Sequence, residues 1–171
     1  MANGRLISDY TDQELENFKK AYLKAKKIEG GKFSLTEIEL EMARRLPNPF
    51  GVRQLAAKIK ELGSISNDGL VTYGQIWKEF RPGIPWKANY SRRVVGQALG
   101  TVIYYCIKKQ IPILSTLVVA GGKRELTDQA VQNIYDECKK YGVDVGLNPR
   151  AFVVKEQKRA REFPIERLPS A

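Results

Sequence analysis

The fold of this chain is decided by the stretch Val71-Thr72-Tyr73-Gly74-Gln75 and by the helical pattern that begins near Ser91. Thr72 and Gln75 stand at capping-box spacing, which predicts a short helix through Phe80. A turn rich in proline and glycine follows. The next helix carries an apolar face made of Val95, Ala98, Leu99 and Val102. Helix, turn and helix in this order predict a helix-turn-helix.

A further helix and a basic turn are predicted on either side of this motif. The apolar spacing predicts a helix from Val52 to Leu62, with Gly63 as its C-cap. The run Ile113 to Val119 is rich in β-branched residues, which favours a strand. It is followed by Gly121-Gly122-Lys123-Arg124, which is typical of a flexible basic turn. Residues 50–125 are therefore predicted to form a winged helix-turn-helix domain.

Helices are also predicted before and after this segment. Capping boxes at Thr11 and Ser34 predict two N-terminal helices within residues 1–49, the second ending at Pro47-Asn48-Pro49. These helices are interpreted either as a hairpin that packs on the rest of the domain or as an interaction arm for a partner protein. Thr127 and Asn148-Pro149 predict two helices before a basic tail within residues 126–171. The expected fold class is mainly α with a small β element (α+β).

The charge of the chain is concentrated on the predicted helix-turn-helix. The 171 residues include 29 Lys and Arg against 19 Asp and Glu, for a net charge of +10. Between Ile76 and Arg124 the only acidic residue is Glu79, so this segment alone contributes +8. Its basic residues are Lys78, Arg81, Lys87, Arg92, Arg93, Lys108, Lys109, Lys123 and Arg124. A basic stripe on a helix-turn-helix favours nucleic-acid contact over an ordinary solvated face.

Several function classes are excluded or disfavoured by composition. The chain has no histidine, which excludes histidine general bases and the Ser-His-Asp and Cys-His arrangements. Two cysteines, Cys106 and Cys138, are too few for the usual zinc sites. No metal, cofactor or catalytic residue is therefore expected. The longest apolar stretch, Ile111 to Ala120, is too short to span a membrane, and no secretory signal is visible, so a cytoplasmic, reducing location is expected.

The candidate nucleic-acid contacts cluster on the second helix of the motif and around it. Arg92, Arg93, Gly96 and Gln97 lie away from its apolar face, as does Gly100. The two glycines would allow close approach either to a DNA backbone or to another helix of the core. The candidate set also includes Tyr73, Lys87, Tyr90, Ser91, Lys123 and Arg124. The nearby aromatic residues would either stack on an unpaired base or belong to the core, which is favoured for Trp77 and Trp86.

Two blocks of this segment resemble a known family. The two blocks are Leu70-Val71-Thr72-Tyr73-Gly74-Gln75-Ile76 and Ser91-Arg92-Arg93-Val94-Val95-Gly96-Gln97-Ala98-Leu99, and they are followed by Pro112-Ile113-Leu114 and Val118-Val119. Together they resemble the DNA-binding domain of O6-alkylguanine-DNA alkyltransferases and alkyltransferase-like proteins. The resemblance covers roughly Phe50 to Arg124. It implies a helix-turn-helix that enters the minor groove and a target base turned out of the stack. It also implies that Tyr73 disturbs a phosphate and that Arg93 fills the gap in the duplex.

The chain departs from that family where the chemistry takes place. The family's reactive stretch is Pro-Cys-His-Arg, and here Ser115 occupies the cysteine position and Thr116 the histidine position. No thiolate can form at Ser115, so alkyl transfer to the protein is excluded. The family also has a short connection where this chain has the longer apolar segment from Gly100 to Ile111. Cys106 lies in that segment and is expected to be buried.

The leading expectation is a non-catalytic protein that binds duplex DNA, as a regulator or as a sensor of a distorted, modified or flipped base. One alternative is a magnesium-dependent nuclease that uses Asp144, Glu156 and Lys158, with Glu156 on a surface helix. Another is an RNA-binding or protein-interaction module. The oligomeric state is left open by the sequence.

Overall fold

The computed structural model describes residues 4–45 and 50–170, apart from the side chains of Thr36, Leu40, Ala43 and Arg44. The chain forms two compact units, Met1–Leu46 and Pro47–Ala171. In the described residues the elements are, in order, α1 (Asp12–Ala25), α2 (Leu35–Arg45), α3 (Val52–Ser64), β1 (Val71–Thr72), α4 (Tyr73–Phe80), α5 (Ala88–Lys109), β2 (Val118–Val119), α6 (Asp128–Lys140) and α7 (Pro149–Glu162). Short 3-10 helices cover Ile7–Asp9, Leu114–Leu117 and Ile165–Arg167. The expected mainly helical class with a small β element is confirmed.

The first unit is a hairpin of α1 and α2, as predicted. The Thr11 hydroxyl accepts a hydrogen bond from the Glu14 N–H at 3.1 Å, and the Ser34 hydroxyl accepts one from the Glu37 N–H at 3.1 Å. Both predicted capping boxes are therefore present. The Arg45 guanidinium closes the hairpin by donating to the Tyr10 carbonyl at 2.7 Å. The predicted end of the second helix at Pro47-Asn48-Pro49 lies outside the described residues.

The second unit is built around α5, one face of which is buried. Helix α3, helix α4 and the 3-10 helix Leu114–Leu117 pack on α5, and α6 and α7 belong to the same core. The N-caps predicted for α6 and α7 are confirmed. The Thr127 hydroxyl accepts a hydrogen bond from the Ala130 N–H at 3.1 Å, and the Asn148 side-chain oxygen accepts one from the Ala151 N–H at 3.0 Å. Helices α6 and α7 thus begin where the sequence predicts and complete the core of this unit.

The small sheet is a parallel pair rather than a hairpin. Val71 pairs with Val118, and Thr72 pairs with Val119. The strand predicted from Ile113 to Val119 is wrong for most of its length, because residues Leu114–Leu117 form a 3-10 helix. Both the N–H and the hydroxyl of Thr116 donate to the Ile113 carbonyl, at 3.1 and 2.7 Å. These local bonds compete successfully with the extended conformation that β-branched residues favour.

Two helix boundaries differ from those predicted. Helix α5 starts at Ala88 and runs on to Lys109, so the apolar segment after Leu99 is its second half. Helix α3 continues past Gly63 and is capped by Ile65. Gly63 is buried inside the helix, where an added Cβ would lie only 2.8 Å from the Gly69 carbonyl oxygen. Glycine is therefore required there for close packing and not to end the helix.

Candidate nucleic-acid interface

The turn between α4 and α5 is fixed by a buried tryptophan. Trp77 is part of the core, as favoured from sequence, and its indole N–H donates to the Ile84 carbonyl at 2.8 Å. Ser91 is fully buried, and its hydroxyl accepts from the Lys87 N–H at 2.8 Å. Ser91 therefore stabilises the first turn of α5 and does not present its hydroxyl to a partner. These two bonds set the direction in which α5 leaves the turn.

The outward face of α5 carries the predicted contact residues together. Arg92, Arg93, Gly96 and Gln97 are all exposed, while Val95 on the opposite side is fully buried. The helix contains no acidic residue. Among the described residues, neither arginine has an ion-pair partner. Both guanidinium groups are therefore available to an anionic partner.

Open space lies above the two glycines of this face. An added Cβ at Gly96 or at Gly100 would meet no heavy atom within 4 Å. Packing against another helix of the core, one of the two explanations considered from sequence, therefore has no support among the described residues. Glycine costs helix stability at interior positions, so its occurrence here is unexplained by the fold itself. Gly96 and Gly100 therefore form a strip of helix surface without side chains, which lies beside Arg92 and Arg93.

Tyr73 and Arg92 are brought together by the packing of α4 on α5. The Arg92 Cζ lies 6.0 Å from the centroid of the Tyr73 ring. Partial burial raises the pKa of the Tyr73 hydroxyl, and the Arg92 charge acts weakly in the opposite direction. The hydroxyl is therefore neutral and able to donate a hydrogen bond at neutral pH. The ring limits the positions that the Arg92 side chain can take.

The remaining candidate residues divide into two groups. Lys87, Tyr90 and Lys123 are exposed. Arg124 is instead bound to the loop before β1, because its Nε and Nη2 donate to the Asp68 carboxylate at 2.7 and 2.8 Å. It also donates to the Leu70 carbonyl at 3.0 Å. Hydrogen bonding by Arg124 holds the pKa of Asp68 well below its usual range. The predicted flexible basic turn is thus anchored, and Arg124 serves the fold.

Ser115, at the position of the missing acceptor cysteine, lies in the core. It is 4 % exposed, and its hydroxyl has no hydrogen-bond partner within the described part of the chain. Its neighbours Leu114, Thr116 and Leu117 are fully buried. Cys106 is buried as expected, Cys138 is buried as well, and burial raises the pKa of each thiol to about 12. Both thiols are therefore protonated at neutral pH and unsuited to nucleophilic attack.

The carboxylate proposed for a nuclease has a structural partner instead. Glu156 lies on a helix, α7, but the expectation of a surface position is wrong, since it is 6 % exposed. Its carboxylate accepts from the Ile113 N–H at 3.2 Å and pairs with Arg159 at 2.5 Å. Asp144 is exposed and accepts from the Gly146 N–H at 3.3 Å. The described residues contain no group of three His, Cys, Asp or Glu side chains placed to hold a metal ion.

Sequence reasoning missed one residue that shapes this region and placed another wrongly in the core. Asp68 orders the turn that contains Arg124, and the only signal for it was the polar run Ser66-Asn67-Asp68-Gly69 before the strand. Trp86, favoured as core, is 39 % exposed at the start of α5. It contacts Trp77 edge to face, which leaves part of its ring open to solvent.

Comparisons of the chain with protein-family models, with curated proteins and with solved structures found no match. Over the residues that the structure describes, no helix combines the length and the apolar character needed to cross a membrane.

Proposed function

We propose that this chain is a non-catalytic DNA-binding protein that places the exposed face of α5 against duplex DNA. The observation that carries the proposal is that Arg92 and Arg93, which have no ion-pair partner among the described residues, lie beside the open strip over Gly96 and Gly100. Cations that no acidic side chain of the described residues neutralises supply the attraction to phosphates. Glycines with open space above them supply the close approach that a groove requires. A cytoplasmic location is part of the proposal.

The resemblance to alkyltransferase-like proteins refines the docking mode. It suggests a winged helix-turn-helix whose α5 enters the minor groove, with Arg93 reaching between the strands. Tyr73 then lies beside a backbone phosphate, and its contact with Arg92 keeps a second cation at the same place. Gln97 follows Arg93 one turn later and is suited to hydrogen bonds with base edges. In this docking mode the exposed side chains of Lys87 and Lys123 contact phosphates on either side of the groove.

The interior of the second unit supports binding without chemistry. The Ser115 hydroxyl is enclosed in the core, and both thiols of the chain are buried and protonated. We therefore assign the chain the role of a regulator, or of a sensor of distorted or modified bases, rather than that of a repair enzyme. A sensor of this kind reads the deformability of a site through Arg93 and needs no reactive group.

Fluorescence anisotropy with a labelled DNA duplex at low salt tests the proposal. Arg93→Ala and Arg92→Ala are each expected to weaken binding, by about 1–3 kcal/mol if the side chain contacts a base edge. Arg167→Ala is the matched control, since Arg167 is exposed, lies after α7 and loses the same charge. Absence of binding, or equal losses for Arg93→Ala and Arg167→Ala, would overturn the proposal. RNA of equal length as competitor separates a DNA-binding from an RNA-binding role.

A further inference from the structure

Two partly exposed aromatic rings lie near the N-terminal end of α5, Trp86 just before the helix and Tyr90 in its first turn. Trp86 is 39 % exposed and Tyr90 is 61 % exposed. Both rings contact the buried Trp77 edge to face, each with 6.2 Å between the ring centroids. Ile84 lies in the same turn and is also exposed. The chain thus presents aromatic surface at the end of the helix that carries Arg92 and Arg93.

The two rings are held in place rather than free to fold back onto the surface. Trp77 behind them is only 4 % exposed, and its indole N–H is bonded to the Ile84 carbonyl at 2.8 Å. An edge-to-face contact with a fixed ring restricts the orientation of Trp86 and of Tyr90. Rings that are already ordered lose little conformational entropy when a partner stacks on them. This favours a binding role over incidental exposure.

The charge around the rings selects the kind of partner. Lys87 lies between Trp86 and Tyr90 in sequence, and Arg93 follows Tyr90 by three residues on the same side of α5. No acidic residue occurs from Phe80 to Arg124. A partner that combines flat aromatic faces with negative charge matches this surface. Unpaired nucleotides have both properties, whereas an apolar protein surface has only the first.

We propose that Trp86 and Tyr90 form a stacking site for unpaired bases, so that the chain prefers DNA in which a single strand adjoins a duplex. The inference rests on the proposed function, because the face of α5 has to hold the duplex part. The single strand then leaves the duplex at the N-terminal end of α5. There its bases stack on the two rings and its phosphates meet Lys87.

Three labelled DNA ligands test this inference: a blunt duplex, the same duplex with a short single-stranded overhang, and the overhang strand alone. Trp86→Ala is expected to weaken binding of the overhang ligand by roughly 5-fold to 150-fold, the range for one stacked base, and to leave the blunt duplex unchanged. Trp86→Phe retains a stacking face and should recover most of the loss. Ile84→Ala is the matched control, since it removes exposed apolar surface from the same turn without removing a ring.

Intrinsic fluorescence gives an independent readout. The chain has two tryptophans, and Trp77 is buried, so quenching by a stacked base reports on Trp86. The overhang strand should quench the emission, and the Trp86→Phe variant should lose that quenching while still binding.

The outcomes separate this inference from the proposed function. Equal affinity for blunt and overhang duplexes, with no effect of Trp86→Ala, overturns the stacking site and leaves duplex binding intact. Stacking on the single strand without any binding of the blunt duplex overturns duplex binding and retains the stacking site. If Trp86 and Tyr90 bind a protein partner instead, Trp86→Ala should leave the affinities for all three DNA ligands unchanged. That result would also overturn the inference.

Discussion

The guanidinium of Arg92 lies over the ring of Tyr73, with 6.0 Å between Cζ and the ring centroid. The contact joins the first residue of α4 to the exposed face of α5. A cation over an aromatic face at an exposed site is worth about 0.5–1 kcal/mol. The geometry therefore fixes the position of one of the two cations on which the proposed DNA contact depends.

Substitutions of Tyr73 test that positioning role. Tyr73→Phe keeps the ring and removes only the hydroxyl beside the proposed phosphate, so it should lower the affinity for duplex DNA less than Tyr73→Leu, which also removes the aromatic face under Arg92. Anisotropy titrations well below the thermal midpoint of each variant give the comparison. In an Arg92→Ala background the two Tyr73 variants should bind alike. A difference that persists in that background would show that the ring acts without Arg92.

Gly96→Ala should change stability and binding in opposite directions. The added Cβ meets no atom of the protein, and alanine in place of an interior helical glycine stabilises by about 0.5–1 kcal/mol. Thermal or urea unfolding should therefore show a gain. The affinity for duplex DNA should fall, because the methyl group separates α5 from the groove. Retained affinity in the stabilised variant would show that no partner comes close at Gly96.

Lys123 and Arg124 should behave differently although they are neighbours. Lys123→Ala should weaken DNA binding modestly and leave the thermal midpoint unchanged, because Lys123 is exposed. Arg124→Ala should lower the thermal midpoint, because it breaks the bonds to Asp68 and to the Leu70 carbonyl. Its effect on affinity should be no larger than that of Lys123→Ala. A large, selective loss of affinity in Arg124→Ala would mean that the ion pair opens on DNA.

The Asp68–Arg124 pair also predicts a response to acid. The pKa of Asp68 is depressed in the folded state, so the pair contributes stability above the usual Asp pKa of 3.8 and loses it as the pH falls below that value. Thermal midpoints of the parent chain and of Asp68→Asn should therefore differ at pH 7 and converge towards pH 2. A constant difference across this range would contradict the assignment.

The buried thiols predict a response to alkali. Burial raises the pKa of Cys106 and Cys138 from 9.0 to about 12, so the folded state keeps protons that the unfolded state releases. Stability should be complete below pH 9 and fall as the pH rises from there towards 12, because over this range only the unfolded state releases the thiol protons. Urea unfolding at pH 8 and pH 10.5 measures this loss. A Cys106→Ala/Cys138→Ala variant should lose less over the same interval.

Elements whose signals are local were predicted well from the sequence. Thr72 with Gln75, Thr127 and Asn148 cap their helices through bonds to residues three positions away, and such pairs are visible in the sequence. The 3-10 helix Leu114–Leu117 was not predicted, because the run Ile113 to Val119 that contains it is rich in β-branched residues, which favour a strand. Part of what stabilises it comes from α7, where Glu156 accepts from the Ile113 N–H and Gln157 donates to the Thr116 carbonyl.

The candidate site also contains residues whose positions could be predicted from local sequence signals and residues whose positions depend on distant contacts. The exposed face of α5 followed from helical periodicity, since Arg92, Arg93 and Gln97 all lie opposite Val95. The position of Arg124 could not be predicted from the sequence, because its partner Asp68 is distant in the chain and comes close to it only in the folded protein. Exposure of Trp86 was likewise beyond the sequence, because both tryptophans are suited to a core and only the folded chain leaves Trp77 buried and Trp86 39 % exposed.

The salt dependence of duplex binding tests the central claim most directly. Each protein cation that neutralises a phosphate contributes about 0.9 to the slope of log affinity against log salt concentration. The parent chain should show a steep negative slope, and an Arg92→Ala/Arg93→Ala variant, measured well below its thermal midpoint, should show a slope shallower by about two. An Arg167→Ala chain should keep the parent slope. Equal slopes for the parent chain and the double variant, or no binding at the lowest salt, would contradict the assignment of α5 as a DNA-binding face.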